Sequence, residues 1–335
     1  GISAGDMIIK VDGVETADLS SDDIVKRLRG TPDTPVAVTV RRGETIVFDV
    51  TIVRAMIEVP TVKSAMMPGS IGYLRISQFT PPTAERVQAA VNAFRTAGYR
   101  AMVVDVRGNP GGLLSSVEQV ADIFLSGGPV VSTRSERVPS ENSVYEAKAS
   151  ASDVRPDIPV AVLVDKGSAS ASEILAGALK DTGRAKLFGV TTYGKGSVQQ
   201  VRRLGDGGFK LTMARYYTPG NYTIDKVGVT PDVTVEEPPI TPEQEASFGR
   251  LLQEHTIRKW VAANPQPSDA KVSQFVAELQ RQGIALDDRT LRRLVREQVN
   301  RTNNNPPVFD LEYDIVLQAA VKAIQAGQVA PKALP

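Results

Sequence analysis

The 335-residue chain has no cysteine, one histidine and one tryptophan. Without cysteine it has no disulfide framework, no cysteine nucleophile and no thiolate metal site. A single histidine, His255 in "FGRLLQEHTIRKW", excludes a His-rich zinc centre by counting. The stretch around His255 reads as an amphipathic helix, where a lone histidine is a surface or boundary residue. A serine nucleophile in this chain therefore calls for a base other than histidine. An excess of one charge is lacking too. The 39 basic and 38 acidic residues leave a formal net charge of +1, with no electrostatic footprint for nucleic acid or an acidic membrane surface. No apolar run reaches the roughly 18 residues of a membrane-spanning helix. The opening "GISAGDMIIKVDG" has neither the basic start nor the apolar core of a secretory signal, so no targeting segment is read in the chain. The absence of thiols fits an oxidising compartment.

What is present describes a globular protein. Hydrophobic residues make up 41% and charged residues 23%, and the length suggests about two or three domains. Residues 1–56 alternate strand and helix signals. "DMIIKVDG" reads as a strand ending in an Asp-Gly turn. "LSSDDIVKRLRG" reads as a helix stopped by Gly30. "PVAVTVRRGETIVFDVTIVR" reads as two strands joined at Arg42-Gly43-Glu44. Residues 57–238 alternate strands and helices more densely. "SIGYLRIS" is a strand, and "PPTAERVQAAVNAFRTAG" is a helix with proline at its start and glycine at its end. "RAMVVDV" and "IPVAVLVDKG" are continuous apolar runs, as expected of strands buried on both faces. Each runs into a glycine-containing turn and then a helix, and sites in open α/β sheets gather at such strand ends. Residues 239–335 lose strand character and offer four candidate helices: "TPEQEASFGRLLQEHTIRKWVAAN", "SDAKVSQFVAELQRQG", "DDRTLRRLVREQVNR" and "LEYDIVLQAAVKAIQAG". The break "TNNNPPVF" separates the last two.

The chemistry concentrates in "DKGSASASEILAGALKD", residues 165–181. Ser170 to Glu173 spell a capping box, and Ile174, Leu175, Ala178 and Leu179 recur at helical spacing. Twenty-five residues after Ser170 comes Lys195, set between glycines in "TTYGKGSVQQVRRL". In an extended chain Lys195, Ser197 and Gln199 share one face, which allows Gln199 to hold the lysine amine. A serine hydroxyl needs a base to take its proton. With histidine nearly absent, carboxylates and lysine remain, and lysine serves only where burial makes its charged form costly. The N–H of Ala171 at the helix start points to where an oxyanion forms. A second donor is expected from the Gly111-Gly112 turn, because glycine permits close approach of the backbone.

The strings "GSASASEILAGALKD", "YGKGSVQ", "DVRGNPGG" and "ARYYTPG…GVTPDVTV" resemble the carboxyl-terminal processing peptidases, also called tail-specific proteases. The resemblance covers nearly all the chain. "GISAGDMIIKVDG…LRG" is similar to the later part of the family's PDZ domain, and "NRTNNNPPVFDLEYDIVLQAAVKAI" to helical tails in some bacterial members. It implies an α/β protein with a ClpP/crotonase-like catalytic core (57–238), a partial PDZ domain (1–56) and a C-terminal helical region (239–335). The helix Asp22–Leu28 would form one wall of the PDZ groove, whose other wall precedes Gly1. The resemblance also implies a serine endopeptidase cutting proteins near their carboxyl termini, outside the cytoplasm, in the periplasm or cell envelope. By it Ser170 is the nucleophile, Lys195 the general base and Gln199 the residue that orients the lysine. Ala171 with Gly111 or Gly112 forms the oxyanion hole. The implied partners are unstructured protein or peptide C-termini, with a homo-oligomer possible through the C-terminal helices. No cofactor, metal or nucleic acid is expected. On this reading Lys195 is buried beside Ser170, and Ser168 and Ser172 serve packing and capping. Two other readings compete. One is a PDZ-bearing scaffold without hydrolysis, which the presence of both Ser170 and Lys195 opposes. The other is a crotonase-like acyl-CoA enzyme, which would need only the glycine turns.

Overall fold

The alternation in the first sixty residues builds a small antiparallel sheet in the computed structural model, which describes residues 2, 6–43, 45–56, 60–148, 153–205, 207–303 and 306–330. In the unit Gly1–Pro60 the elements are β1 (Met7–Val11), β2 (Val14–Glu15), α1 (Ser21–Leu28), β3 (Pro35–Arg42) and β4 (Ile46–Val53), with sheet order β2-β1-β3-β4. Val36, Val38 and Val40, at alternate positions of β3, join Val11 in its small core. Ser20 caps α1 by accepting the Asp23 N–H. The expected turn at Arg42-Gly43-Glu44 falls partly outside the described residues, at Glu44.

In the unit Thr61–Pro335 the chain runs β5 (Val62–Met67), β6 (Ile71–Ile76), α2 (Thr83–Thr96), β7 (Ala101–Asp105), α3 (Leu114–Phe124), β8 (Gly128–Arg134), β9 (Ser143–Ala147), β10 (Val160–Val164), α4 (Ala171–Asp181), β11 (Lys186–Gly189), β12 (Ser197–Leu204), β13 (Gly207–Tyr217) and β14 (Val233–Thr234). Then come α5 (Pro242–Gln253), α6 (Thr256–Ala263), α7 (Asp269–Arg281), α8 (Asp288–Thr302) and α9 (Ile315–Gln325). One sheet has the order β14-β11-β10-β7-β6-β5, parallel except where β5 pairs antiparallel with β6. A second, antiparallel sheet has the order β12-β13-β8-β9.

The apolar runs of β7 and β10 are buried on both faces for a visible reason. Met102, Val104, Val160, Val162 and Val164 face the core shared with α2, α3 and α4. Ala101, Val103, Ala161 and Leu163 face the other way, against Leu317, Ala320 and Ala323 of α9. The last helix therefore packs against the sheet of its own chain, while Leu251, Val276, Leu279 and Leu291 hold α5, α7 and α8 in a separate cluster.

One element departs from the sequence reading. The helix expected across "TPEQEASFGRLLQEHTIRKWVAAN" is two helices, α5 and α6, because His255 takes a left-handed backbone, φ 54° and ψ 31°. That reversal interrupts the helical ladder and turns Trp260 to stack on Phe275 at 4.3 Å. No helix among the described residues is long and apolar enough to cross a membrane.

Candidate active site

Because β7 and β10 are neighbouring parallel strands, the turns that follow them emerge side by side. Their tie is dense. Ser168 Oγ donates to the Val106 carbonyl at 2.8 Å, and Gly108 N–H donates to Asp165 Oδ1 at 2.8 Å. The Asn109 carbonyl accepts from both Ala169 N–H and Ser172 Oγ, each at 2.9 Å. Ser168 and Ser172 are fully buried in these bonds. Ser170, between them, is half-buried.

Ser170 is no ordinary cap residue. Cap residues are normally extended, whereas Ser170 has φ 57° and ψ −115°, a conformation that costs a non-glycine residue about 1–3 kcal/mol. Strained strand-to-helix turns of this kind lift a nucleophile above a sheet. The turn after β7 closes in on it. A Cβ added to Gly111 would lie 2.7 Å from Ser170 Cβ and 2.9 Å from the Ala171 nitrogen, so glycine is required for this approach. Asn109, fully buried, orders that turn: its Nδ2 donates to the Ile76 carbonyl and its Oδ1 accepts the Gly111 N–H at 2.8 Å. The Gly111 N–H is thus occupied. Among the described residues the N–H groups of Gly112 and Ala171 have no hydrogen-bond acceptor, the latter as the first amide of α4, which lacks an intrahelical partner. The Gly112 backbone is also held tightly, for a Cβ there would fall 1.9 Å from the Phe79 carbonyl oxygen.

The lysine segment returns to the start of α4 after β11. Tyr193 N–H donates to the Ser168 carbonyl at 3.0 Å, and the remaining ties converge on Glu173. This carboxylate is 0% exposed. Its Oε2 accepts the N–H of Ser170 and the N–H of Lys195, both at 2.8 Å. Its Oε1 accepts Thr192 Oγ1 and Gly194 N–H, both at 2.6 Å. The main chains of Ser170 and Lys195 therefore meet at one oxygen atom. The side chains do not follow: Lys195 is exposed, and its Nζ makes no hydrogen bond or ion pair among the described residues. The burial expected of Lys195 is not found. It precedes β12 in a glycine-flanked loop, and among the described residues β12 pairs with β13 alone, which leaves this residue exposed. Gln199, paired with Thr212 across a bulge, is exposed as well, and no hydrogen bond joins it to Lys195 among the described residues. His255, exposed at the α5–α6 break, makes no hydrogen bond with these residues among the described residues.

Charge near the site lies at its foot. Asp105, at the end of β7, is fully buried; it accepts from Tyr73 Oη at 2.6 Å and from Arg107 Nη2 at 2.6 Å. Arg107 also donates to Asp314, the cap of α9, at 2.9 and 2.5 Å. Burial alone would push the Asp105 carboxyl up, but the hydrogen bonds and charge of Arg107, the Tyr73 hydroxyl and the charge of Arg75 hold it below the usual carboxylate range. Burial and the Asp105 charge push the Tyr73 hydroxyl up. No group of three or more His, Cys, Asp or Glu able to hold a metal ion occurs among the described residues.

The sequence reading missed two of these residues. Glu173 was visible only as the third residue of a cap, and Asn109 only as part of a turn. The spacing from Glu173 to Thr192, Gly194 and Lys195 carries no local signal.

Residues 70–235 match the model of peptidase family S41, and residues 1–41 match that of the PDZ domain. A carboxy-terminal-processing protease of Bartonella bacilliformis is 41% identical over 264 residues, covering 77% of this chain and 59% of that protein. A carboxyl-terminal-processing protease of Synechocystis is 37% identical over 247 residues, covering 72% of this chain and 57% of that protein. A solved structure of a photosystem II D1 C-terminal processing protease is 32% identical, with 72% of this chain and 66% of that chain covered and a TM-score of 0.48. The chain spans less than two thirds of the length of these two curated relatives.

Proposed function

Since the chain belongs to peptidase family S41, we propose that it is a serine endopeptidase that cuts polypeptides near their carboxyl termini. Ser170 is the nucleophile, Lys195 the general base and Gln199 the residue that orients the lysine amine. The observation that carries this reading is the strained turn at Ser170 beside two amides, Ala171 and Gly112, with no acceptor of their own. Those amides form the oxyanion hole, and Gly111 acts as the spacer that lets the turn come close. Ser170 Oγ attacks the substrate carbonyl while its proton passes to Lys195 Nζ. The oxyanion of the tetrahedral intermediate takes hydrogen bonds from the two amides. The lysine returns the proton to the departing amine, and water then repeats the sequence on the acyl-enzyme. In the arrangement described Lys195 is exposed and no hydrogen bond joins its Nζ to Ser170 among the described residues. Its main-chain nitrogen is no farther from that of Ser170 than two hydrogen bonds laid end to end, so a turn of the flexible four-carbon stem completes the dyad.

The catalytic core is read as ClpP/crotonase-like over 57–238, with a partial PDZ domain over 1–56 and a helical region over 239–335. Substrates are unstructured protein C-termini. The edge of β12, unpaired among the described residues and beginning two residues past Lys195, suits main-chain pairing with an extended substrate whatever its side chains. The absence of cysteine accords with an extracytoplasmic location. The test is Ser170→Ala assayed on a flexible protein by mass spectrometry. Cleavage is expected to vanish, while stability drops by no more than about 2 kcal/mol. Full activity in that variant removes the proposed nucleophile.

A further inference from the structure

Resting on Ser170 and Lys195 as the reacting pair, we propose that Glu173 is a positioning residue that sets the nucleophile segment and the lysine segment in register through its shared oxygen. The geometry goes beyond a helix cap. A capping glutamate needs one bond, back to the cap residue, and Glu173 makes that bond with Ser170. The other three come from Thr192, Gly194 and Lys195, 19 to 22 residues downstream. The division between its oxygens is informative: Oε1 holds the approach to the lysine, while Oε2 holds the two reacting residues themselves.

The site requires an acceptor without donors. A carboxylate offers about four lone-pair positions, and four donors fill them here. Three are main-chain N–H groups, which cannot reverse. The fourth is the Thr192 hydroxyl, whose oxygen already accepts the Val229 N–H at 2.7 Å, so its proton is committed to Glu173. A glutamine at this position would turn an NH2 group towards two donors, which would have to separate. Glu173 forms no salt bridge with any cation among the described residues, despite its complete burial. It is held by these donors alone. The two segments do not depend on it to stay together, because Tyr193 N–H remains bonded to the Ser168 carbonyl. Loss of the carboxylate therefore misplaces the pair within a fold that persists. Reacting groups misplaced by about 1 Å lose on the order of 100-fold in rate.

The test compares Glu173→Gln, Glu173→Asp and Thr192→Val in the whole chain. Four quantities are measured: thermal melting, kcat and KM on a flexible peptide, and the rate at which an alkyl phosphonofluoridate modifies serine. In that modification the serine oxygen forms a bond to phosphorus, fluoride leaves, and the hydroxyl proton passes to the base. Both Glu173 variants should melt as folded proteins. Glu173→Gln should lose on the order of 100-fold in kcat and in phosphonylation rate, with KM within about twofold of the parent. Glu173→Asp keeps the charge but falls short by one methylene, and should lose about 10-fold in both rates. Of the two carboxylate oxygens Thr192→Val touches only Oε1, though it also leaves the Val229 N–H without its acceptor; it should lose less than about fivefold in both rates. A folded Glu173 variant of either kind with parental kcat and phosphonylation rate overturns the positioning role, as does a loss confined to KM. Peptide mapping of the modified parent separates this from the underlying reading. A label absent from Ser170 overturns the nucleophile assignment itself. A label on Ser170 that forms equally fast in the Glu173 variants overturns only the role of Glu173.

Discussion

Gly111 and Gly108 lie in one turn and both have positive φ, yet alanine should affect them very differently. At Gly108, φ 65°, an added Cβ meets nothing within 4 Å, so Gly108→Ala should cost only the left-handed penalty of about 1–2 kcal/mol. At Gly111, φ 101°, the Cβ lies 2.7 Å from the Ala169 carbonyl oxygen, 2.7 Å from Ser170 Cβ and 2.9 Å from the Ala171 nitrogen. Carbon atoms rest about 3.5–4.0 Å apart, so Ser170 or the turn must shift by about 1 Å. Backbone strain of about 1–3 kcal/mol and overpacking of about 1–3 kcal/mol together leave a domain of ordinary stability folded. The displacement falls on the proposed nucleophile and on the first amide of α4, and should lower kcat by on the order of 100-fold. The assay pairs thermal melting with cleavage of a flexible peptide for both variants. Gly108→Ala should keep most activity and Gly111→Ala should lose it while folded. A folded Gly111→Ala variant cleaving at the parental rate would refute the close approach of the turn to Ser170. Equal losses in the two variants would trace the effect to backbone strain instead.

Lys195→Arg should be as inactive as Lys195→Ala, because a guanidinium keeps its proton and cannot serve as base; cleavage by either variant at the parental rate would remove the lysine from the mechanism. Asp105→Asn should destabilise the fold by about 1.5–3 kcal/mol near neutral pH, since Arg107 keeps Asp314 but loses its charge-assisted bonds to the buried Asp105. The Asp105 carboxyl is held below the usual range, so its stabilisation is present above the unfolded carboxyl value of about 3.9 and is lost as pH falls through the folded one. Urea denaturation at falling pH should therefore show a weaker acid dependence in Asp105→Asn than in the parent, and identical slopes would contradict this linkage.

Much of the sheet was legible because its signals are local. β7 and β10 are short apolar runs closed by turns, and α2 lies between proline and glycine. The antiparallel strands β8 and β9 were not read, since "GPVVSTR" and "SVYEA" mix polar and apolar residues without a clean alternation. Their strand character comes from pairing with each other and with β13. The break at His255 carries no glycine or proline to announce it. It accompanies the stacking of Trp260 on Phe275 and the packing of Ile257 in the same cluster.

The site divides along the same line. Local features marked Ser170 as a helix cap after a buried strand, the family resemblance alone named it the nucleophile, and its φ of 57° was not foreseeable. Which of Gly111 and Gly112 has its N–H occupied depended on Asn109, whose side chain takes the Gly111 N–H. Lys195 was expected to be buried because a catalytic lysine must shed its proton, an argument from chemistry that places no atom. The fold instead fixes its main chain and leaves its side chain in solvent. Sequence spacing brought the serine and lysine segments together only through family resemblance. Physically, the Tyr193–Ser168 bond ties them, and beside it a carboxylate counted as a helix cap bonds to both, by collecting donors that no window around residue 173 contains. A cap predicted from four residues can thus serve two segments at once. A main-chain N–H withdrawn from water needs an acceptor, and at Ser170 and Lys195 that acceptor is one and the same oxygen.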